Sequence, residues 1–235
     1  MTSIIVDERD VTEQQFDKAL KKAKYFLPLY IFVPAAFWVA FHFSGTEIEW
    51  RAYGLGALGW LIALFLRGPL SAIVMKLSKE KATTIVVSSS GVFEECVRIA
   101  ILMLTSTTYS WSVSIGQGWA AVEVLFVILN VIIIASLSRR TDEKAMQAKE
   151  MLKMQGNLTA SPLWGVIERI FASAFHIGCT LLAAKYPWLV VLLIPLHSFV
   201  NLTALKLAKK SIVQTELLIA AIGTIVLVAG ISVLH

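Results

Sequence analysis

The chain has 235 residues, 57% of them hydrophobic and 16% charged, with 21 Lys and Arg against 16 Asp and Glu. Soluble domains are about 45–50% apolar and about a quarter charged, and a mean hydropathy of +0.73 falls outside that class. With only two cysteines and six prolines, a disulfide-stapled module, a collagen and a disordered chain are excluded as well, which leaves an all-α polytopic membrane protein.

Residues 1–24 open with Asp7, Glu8 and Asp10, too far ahead of the first apolar run for a signal peptide. Val11–Lys24 is expected to be an amphipathic helix on the inner membrane surface, its lysines near anionic headgroups. Residues 25–235 are expected to form a seven-helix membrane domain with spans at Tyr25–Phe43, Tyr53–Met75, Thr84–Leu104, Ile115–Leu137, Leu163–Ala184, Pro187–Leu205 and Leu217–Leu234. Each has about 18–23 residues, enough to cross a hydrocarbon core of roughly 30 Å. Between the fourth and fifth spans, the linker 138–162 is expected to be helical until Gly156-Asn157 stops it. Asn157-Leu158-Thr159 matches the glycosylation sequon but falls on the inner side. Cys96 and Cys179 both lie within spans and read as small buried apolar side chains.

Lys and Arg outside the spans set the orientation. Sixteen lie on the N-terminal segment and the second, fourth and sixth loops, against only Arg51 and Lys185 on the alternate loops. The N-terminus is therefore expected in the cytoplasm and the C-terminus outside, in the cell membrane. The basic pI of 9.2 is a consequence of this topology, so lipid is the expected partner and nucleic acid is not.

Seven charged side chains fall inside the spans: Arg67, Glu94, Glu95, Arg98, Glu123, Glu168 and Arg169, joined by the titratable His176 and His197. Each costs about 2.5–3.5 kcal/mol even on the lenient insertion scale, so each is a functional candidate by default. Arg67 precedes Gly68-Pro69, where a kink frees carbonyls that a guanidinium can satisfy, and reads as structural. In GVFEECVR, Glu94 and Glu95 stand four and three residues before Arg98, so both carboxylates reach one guanidinium. One of them is then in surplus and needs a proton, a metal or another cation. Gly91 shares that face and admits a neighbouring helix. His197 and Asn201 are also four apart. The fifth span carries a polar and small stripe from Arg169 through Ala172, Ser173, His176 and Thr180 to Ala183, with Glu168 beside it and Phe171 and Phe175 expected toward lipid. In the fourth, Gly116, Glu123 and Asn130 repeat at seven. Counted from the span ends, Glu94, Glu95, His176 and His197 lie within roughly 5 Å of depth of one another at 1.5 Å per residue.

Glutamate near two imidazoles supports two chemistries. It can take a proton from water as a general base, with a histidine or Asn201 bonding the oxyanion. Alternatively, Glu and His can hold a divalent metal, typically zinc, that lowers the pKa of bound water toward about 7. Both hydrolyse an amide in or beside the membrane. No Gly-x-Ser-x-Gly, paired intramembrane Asp or HExxH is present, which argues against the rhomboid-like, presenilin-like and site-2-type routes.

EE-x-x-R in a middle span, then a His-bearing span, then H-x-x-x-N resembles the CAAX-protease and bacteriocin-processing superfamily. Within it GVFEECVR, GQGWAAVE and the later ER…H run look most like the YhfC-type intramembrane metalloproteases. The resemblance covers roughly Gly91–Asn201. It implies that Glu94 or Glu95 activates water, that Arg98 orients the carboxylates, and that His176, His197 and Asn201 complete the site, with Glu123, Glu168 and Arg169 auxiliary. Zinc, if the chemistry uses it, would sit on Glu95, His176 and His197, and the substrate would be a membrane-tethered peptide or protein. Trp119 stands where YhfC-like sequences often place a histidine after the glycines. The superfamily also resembles the seven-helix scaffold subunit of gamma-secretase. A catalytically silent scaffold or receptor with a membrane-protein partner is therefore the alternative reading, and a small proton-coupled transporter is a third.

Overall fold

A computed structural model of the protein describes residues 8–137, 142 and 161–235. Among the described residues there are seven α-helices and no strand: α1 (Glu8–Phe43), α2 (Trp50–Val74), α3 (Lys79–Leu104), α4 (Tyr109–Leu137), α5 (Pro162–Lys185), α6 (Val190–Ala208) and α7 (Ile212–Leu234), with a 3₁₀ turn at Pro187–Leu189 before α6. The helical linker and its stop at Gly156-Asn157 fall outside the described residues.

The helix ends follow local chemistry. Ser161 caps α5 by accepting from the Leu163 N–H, with Pro162 at the first helical position, where its missing donor costs nothing. Ser211 caps α7 by accepting from the Gln214 N–H. Gly45, at φ +86°, ends α1: its N–H bonds the His42 carbonyl at 3.0 Å and the Thr46 N–H bonds the Phe41 carbonyl at 2.9 Å. That is a Schellman turn, and it needs a residue that tolerates the left-handed region. Pro28, Pro34, Pro69 and Pro195 sit inside helices, as they do in membrane helices whose neighbours re-satisfy the freed groups.

Val11–Lys24 is helical as expected and continuous with the first span, because α1 runs unbroken from Glu8 to Phe43; no glycine, proline or turn sequence stands at the junction to break it. Among the described residues six of the seven helices, all but α3, are long and apolar enough to cross a membrane by length and composition. At 26 residues α3 is long enough. Its shortfall is in apolarity, because Glu94, Glu95 and Arg98 sit at its middle, where all three are buried and turned into the bundle. The protein is an integral membrane protein by these six helices.

The centre of the bundle is α5. In its most apolar 18-residue stretch 67% of residues are buried, against 17–28% in the other five apolar helices. It packs most heavily on α7, then on α4, and also meets α1 and α3. Glycines set the closest approaches: a Cβ on Gly178 would lie 2.5 Å from the Val226 carbonyl carbon of α7, and one on Gly116 of α4 would lie 2.7 Å from the Ile177 Cα. Cys179 is buried, but Cys96 is exposed, because the two lie on opposite kinds of face, one on the central helix and one on the outer side of α3. Replacing Gly178 with Ala forces two backbones apart and should cost about 1–3 kcal/mol. Gly54, which has nothing within 4 Å, tolerates Ala. Thermal unfolding in detergent should show a lowered midpoint for Gly178→Ala and none for Gly54→Ala.

Candidate active site

Arg98 is fully buried and uses all five of its N–H donors. Nε donates to Glu95 Oε2 at 3.0 Å and Nη2 to Glu95 Oε1 at 3.3 Å. Nη1 donates to the His176 carbonyl at 3.0 Å and to Thr180 Oγ1 at 2.6 Å. The second Nη2 hydrogen meets His176 Nδ1 at 3.1 Å. Because a guanidinium only donates, His176 Nδ1 is an acceptor and the ring proton sits on Nε2. That Nε2–H faces Glu123 Oε2 at 2.7 Å. The guanidinium also lies 4.3 Å over the Trp119 ring, a cation–π contact between two fully buried side chains.

The adjacent glutamates have different surroundings. Glu95 is held at both oxygens by Arg98, and Oε1 also accepts from His197 Nδ1 at 2.8 Å. This fixes the His197 tautomer and leaves its Nε2 lone pair on the side of Glu94. Glu94 takes Arg67 Nη2 on Oε1 and Trp119 Nε1 on Oε2, both at 3.2 Å. Its Oε2 stands 3.8 Å from His197 Nε2. The two imidazoles meet edge to face with centroids 5.3 Å apart, and Phe175 packs edge-on to both, at 5.8 and 5.1 Å.

Backbone proximity keeps α3 and α6 in register. Gly91 lies against the Ile194 carbonyl and Ser198 of α6. Ser198 Oγ donates to the Ser88 carbonyl at 2.7 Å, and Asn201 Nδ2 donates to Ser90 Oγ at 2.7 Å. On the other side, Arg169 Nη1 donates to Glu123 Oε1 at 2.7 Å, and its Nη2 pairs with Glu168. A cleft of about 50 Å³, room for a few waters, runs past Glu168, Arg169 and Glu123 to His176, His197 and Asn201. Glu94 and Glu95 are not on its wall; they stand behind the histidines.

The structure thus brings together Glu94, Glu95, Arg98, His176 and His197, places Asn201 beside them, and joins Glu123, Glu168 and Arg169 to His176 as a second layer. Two expectations need correction. Arg67 does reach the Ala63 carbonyl with Nε at 3.4 Å, but its outer nitrogen pairs with Glu94. It therefore takes up the carboxylate that the α3 sequence left in surplus. Phe175 does not face lipid: it is buried and walls both histidines, because α5 is the most enclosed of the apolar helices. Trp119 and Thr180 were not anticipated as site residues. Thr180 lay on the polar stripe, which was a usable sign, whereas nothing local marks a tryptophan as a carboxylate's donor.

Zinc takes four ligands at about 2.0–2.2 Å, and Glu94, His176 and His197 each bring one donor atom within 4.8 Å of the others. Glu94 replaces Glu95 in this set, because both Glu95 oxygens are engaged. His197 meets the requirement best, its Nδ1–H anchored on a carboxylate as in metal–histidine–carboxylate arrangements. His176 holds Arg98 on Nδ1 and gives its Nε2 proton to Glu123, so as a ligand it would have to lose the Nε2 proton as well as the Glu123 contact, and it is the member that fits least well. Two imidazoles and a carboxylate, with a fourth position for water, fit catalytic zinc.

No curated protein and no solved structure matches the chain. The model of one family, the YhfC intramembrane metalloproteases, matches residues 29–223, a stretch that enters all seven helices and holds every residue of this site. The chain belongs to the YhfC intramembrane metalloprotease family.

Proposed function

We propose that the protein is an endopeptidase for membrane-tethered substrates in which Glu94 takes the proton from the attacking water. The observation that carries this is the division of labour between neighbouring carboxylates. Glu95 is saturated by Arg98 and His197, while Glu94 faces His197 Nε2 across 3.8 Å. A water beside that pair, about 2.8 Å from each atom, could donate to both, so that the base and the imidazole would hold it. The second amide hydrogen of Asn201 stands on the cleft wall as a donor to the oxyanion that forms on the substrate carbonyl, while the His176 Nε2–H stays on Glu123. Glu123 holds His176 in that tautomer, and Arg98 positions Glu95, which in turn positions His197. A zinc ion held by Glu94, His176 and His197 would supply a polarised water at the same point.

Purified protein in vesicles should cleave a tethered transmembrane peptide, and Glu94→Gln should lower the rate at least about 100-fold with the unfolding midpoint retained within a few degrees. Loss of folding together with activity would assign the network to structure instead. Glu95→Gln should behave differently, because it strands a buried guanidinium: about 3–5 kcal/mol of stability should be lost along with activity. Metal content separates the two hydrolytic routes. One zinc per chain in the wild type, none in His197→Ala, and recovery of chelated enzyme by added zinc are the expected results. Activity untouched by chelation would leave the chemistry to Glu94 alone.

The orientation forms part of the same reading: residues 1–24, the α2–α3 turn and the α6–α7 turn in the cytoplasm, and the C-terminus outside. Single cysteines at Lys209 and Lys185, in a background lacking Cys96 and Cys179, should react with a membrane-impermeant maleimide from the inner and outer sides respectively. The reverse pattern would invert the topology.

A further inference from the structure

The hydrolytic network leaves one acid unused. Glu216, in the second turn of α7, is 2% exposed, and among the described residues neither of its oxygens has a hydrogen-bond partner. Glu216, Ile219 and Gly223 are three and seven residues apart and so share one helix face. Ile219 and Gly223 line the cleft, and Glu216 lies one turn before Ile219 on the same face of α7, at the end nearer Glu168 and Arg169. The charges of Glu168 and Arg169 act on it. Arg169 is already committed to Glu123 and Glu168. Three carboxylates therefore share one guanidinium, and Glu216 is the one left over. Buried carboxylates are stable when paired with a hydrogen-bonding cation and costly when alone.

The depth of this cluster says what kind of cation arrives. Glu168 is eight residues from His176 along α5, about 12 Å at 1.5 Å per residue, on the side of the α6–α7 turn. In the proposed orientation that is the cytoplasmic side, where membrane segments are flanked by Lys and Arg. We infer that Glu216, with Glu168, forms a subsite for the ammonium or guanidinium of a Lys or Arg that flanks the substrate's membrane segment on its cytoplasmic side. The subsite rests on the peptidase reading above and adds the substrate's charge to it. An extended peptide spans the 12 Å in about four residues, so the basic residue lies about that far from the bond that is cut. Binding exchanges the basic side chain's water for the Glu216 carboxylate, and the cleft supplies the anchor that fixes where along the segment the histidines act.

Three tethered peptides that differ only in one inner-flank residue, Lys, Gln or Glu, provide the test with full-length protein in vesicles. Wild type should favour the Lys peptide over the Gln peptide by about tenfold in kcat/KM and reject the Glu peptide. The Lys-to-Gln ratio, read within each variant so that general losses cancel, should fall to about one in Glu216→Gln. It should be partly kept in Glu216→Asp and reduced in the more exposed Glu168→Gln, which serves if Glu216 variants fold poorly. A ratio unchanged in both Gln variants overturns the subsite. Binding of the same peptides, labelled and followed by quenching, separates this from failure of the peptidase reading. Absent cleavage with Lys-selective binding lost in Glu216→Gln sinks the peptidase and keeps the subsite, whereas equal wild-type binding of Lys and Gln peptides sinks the subsite whatever is cut.

Discussion

A guanidinium can be kept out of water only where each of its N–H groups finds an acceptor, and Arg98 meets that condition with groups drawn from two helices. Glu95, one turn away on α3, takes two of its hydrogens; the His176 carbonyl, His176 Nδ1 and Thr180 of α5 take the other three. The rest of the site follows from this saturation. With its lone pair spent on Arg98, His176 must present Nε2–H to Glu123. With Glu95 spent on Arg98, His197 finds a fixed acceptor for Nδ1–H and must present Nε2 toward Glu94. A single buried cation thus dictates two tautomers, on two helices, by hydrogen-bond counting alone.

The same counting explains why two adjacent glutamates do not compete for one role. Consecutive residues on a helix point about 100° apart, so EE cannot direct both carboxylates at the same partner from the same side. Glu95 falls on the α5 and α6 side, where Arg98 and His197 enclose it. Glu94 falls toward α2 and α4, where Arg67 and Trp119 each bond it more loosely, at 3.2 Å. The tighter surroundings suit a positioning group and the looser ones a group that must exchange a proton. Rigidity for both comes from the α3–α6 contact at Gly91, where the backbones approach closely enough that Ser198 and Asn201 bond across to Ser88 and Ser90.

Much of this was legible in the sequence, for a physical reason. Charges are so costly in an apolar segment that those present mark the functional face, and i, i+4 spacing places Glu94 with Arg98 and His197 with Asn201 without further information. The convergence of Glu94, Glu95, His176 and His197 was likewise accessible from depth along the spans. What the sequence withheld depends on which helix is enclosed. Phe175 has no sequence property that separates it from a lipid-facing phenylalanine; only the central position of α5 decides its burial. Arg67 was misread because its local context, Gly68-Pro69, offered a sufficient explanation, and a partner 27 residues away leaves no periodic trace. Glu216 escaped because it stood one residue before the expected start of its span, where an acid excites no suspicion.

The Arg67–Glu94 pair also bears on how the protein enters the membrane. α3 alone carries Glu94, Glu95 and Arg98 at its centre, and at about 2.5–3.5 kcal/mol each its partition into lipid as a lone helix is unfavourable. Within α3, Arg98 neutralises Glu95, and the charge that remains has its counterion on α2, the helix made immediately before it. The α2–α3 hairpin is therefore electrically closed as a unit, while either helix alone is not. Insertion that waits for both helices meets a far smaller barrier than insertion one helix at a time. The pair that sets Glu94's surroundings in the finished site also gives α2 and α3 a shared charge balance.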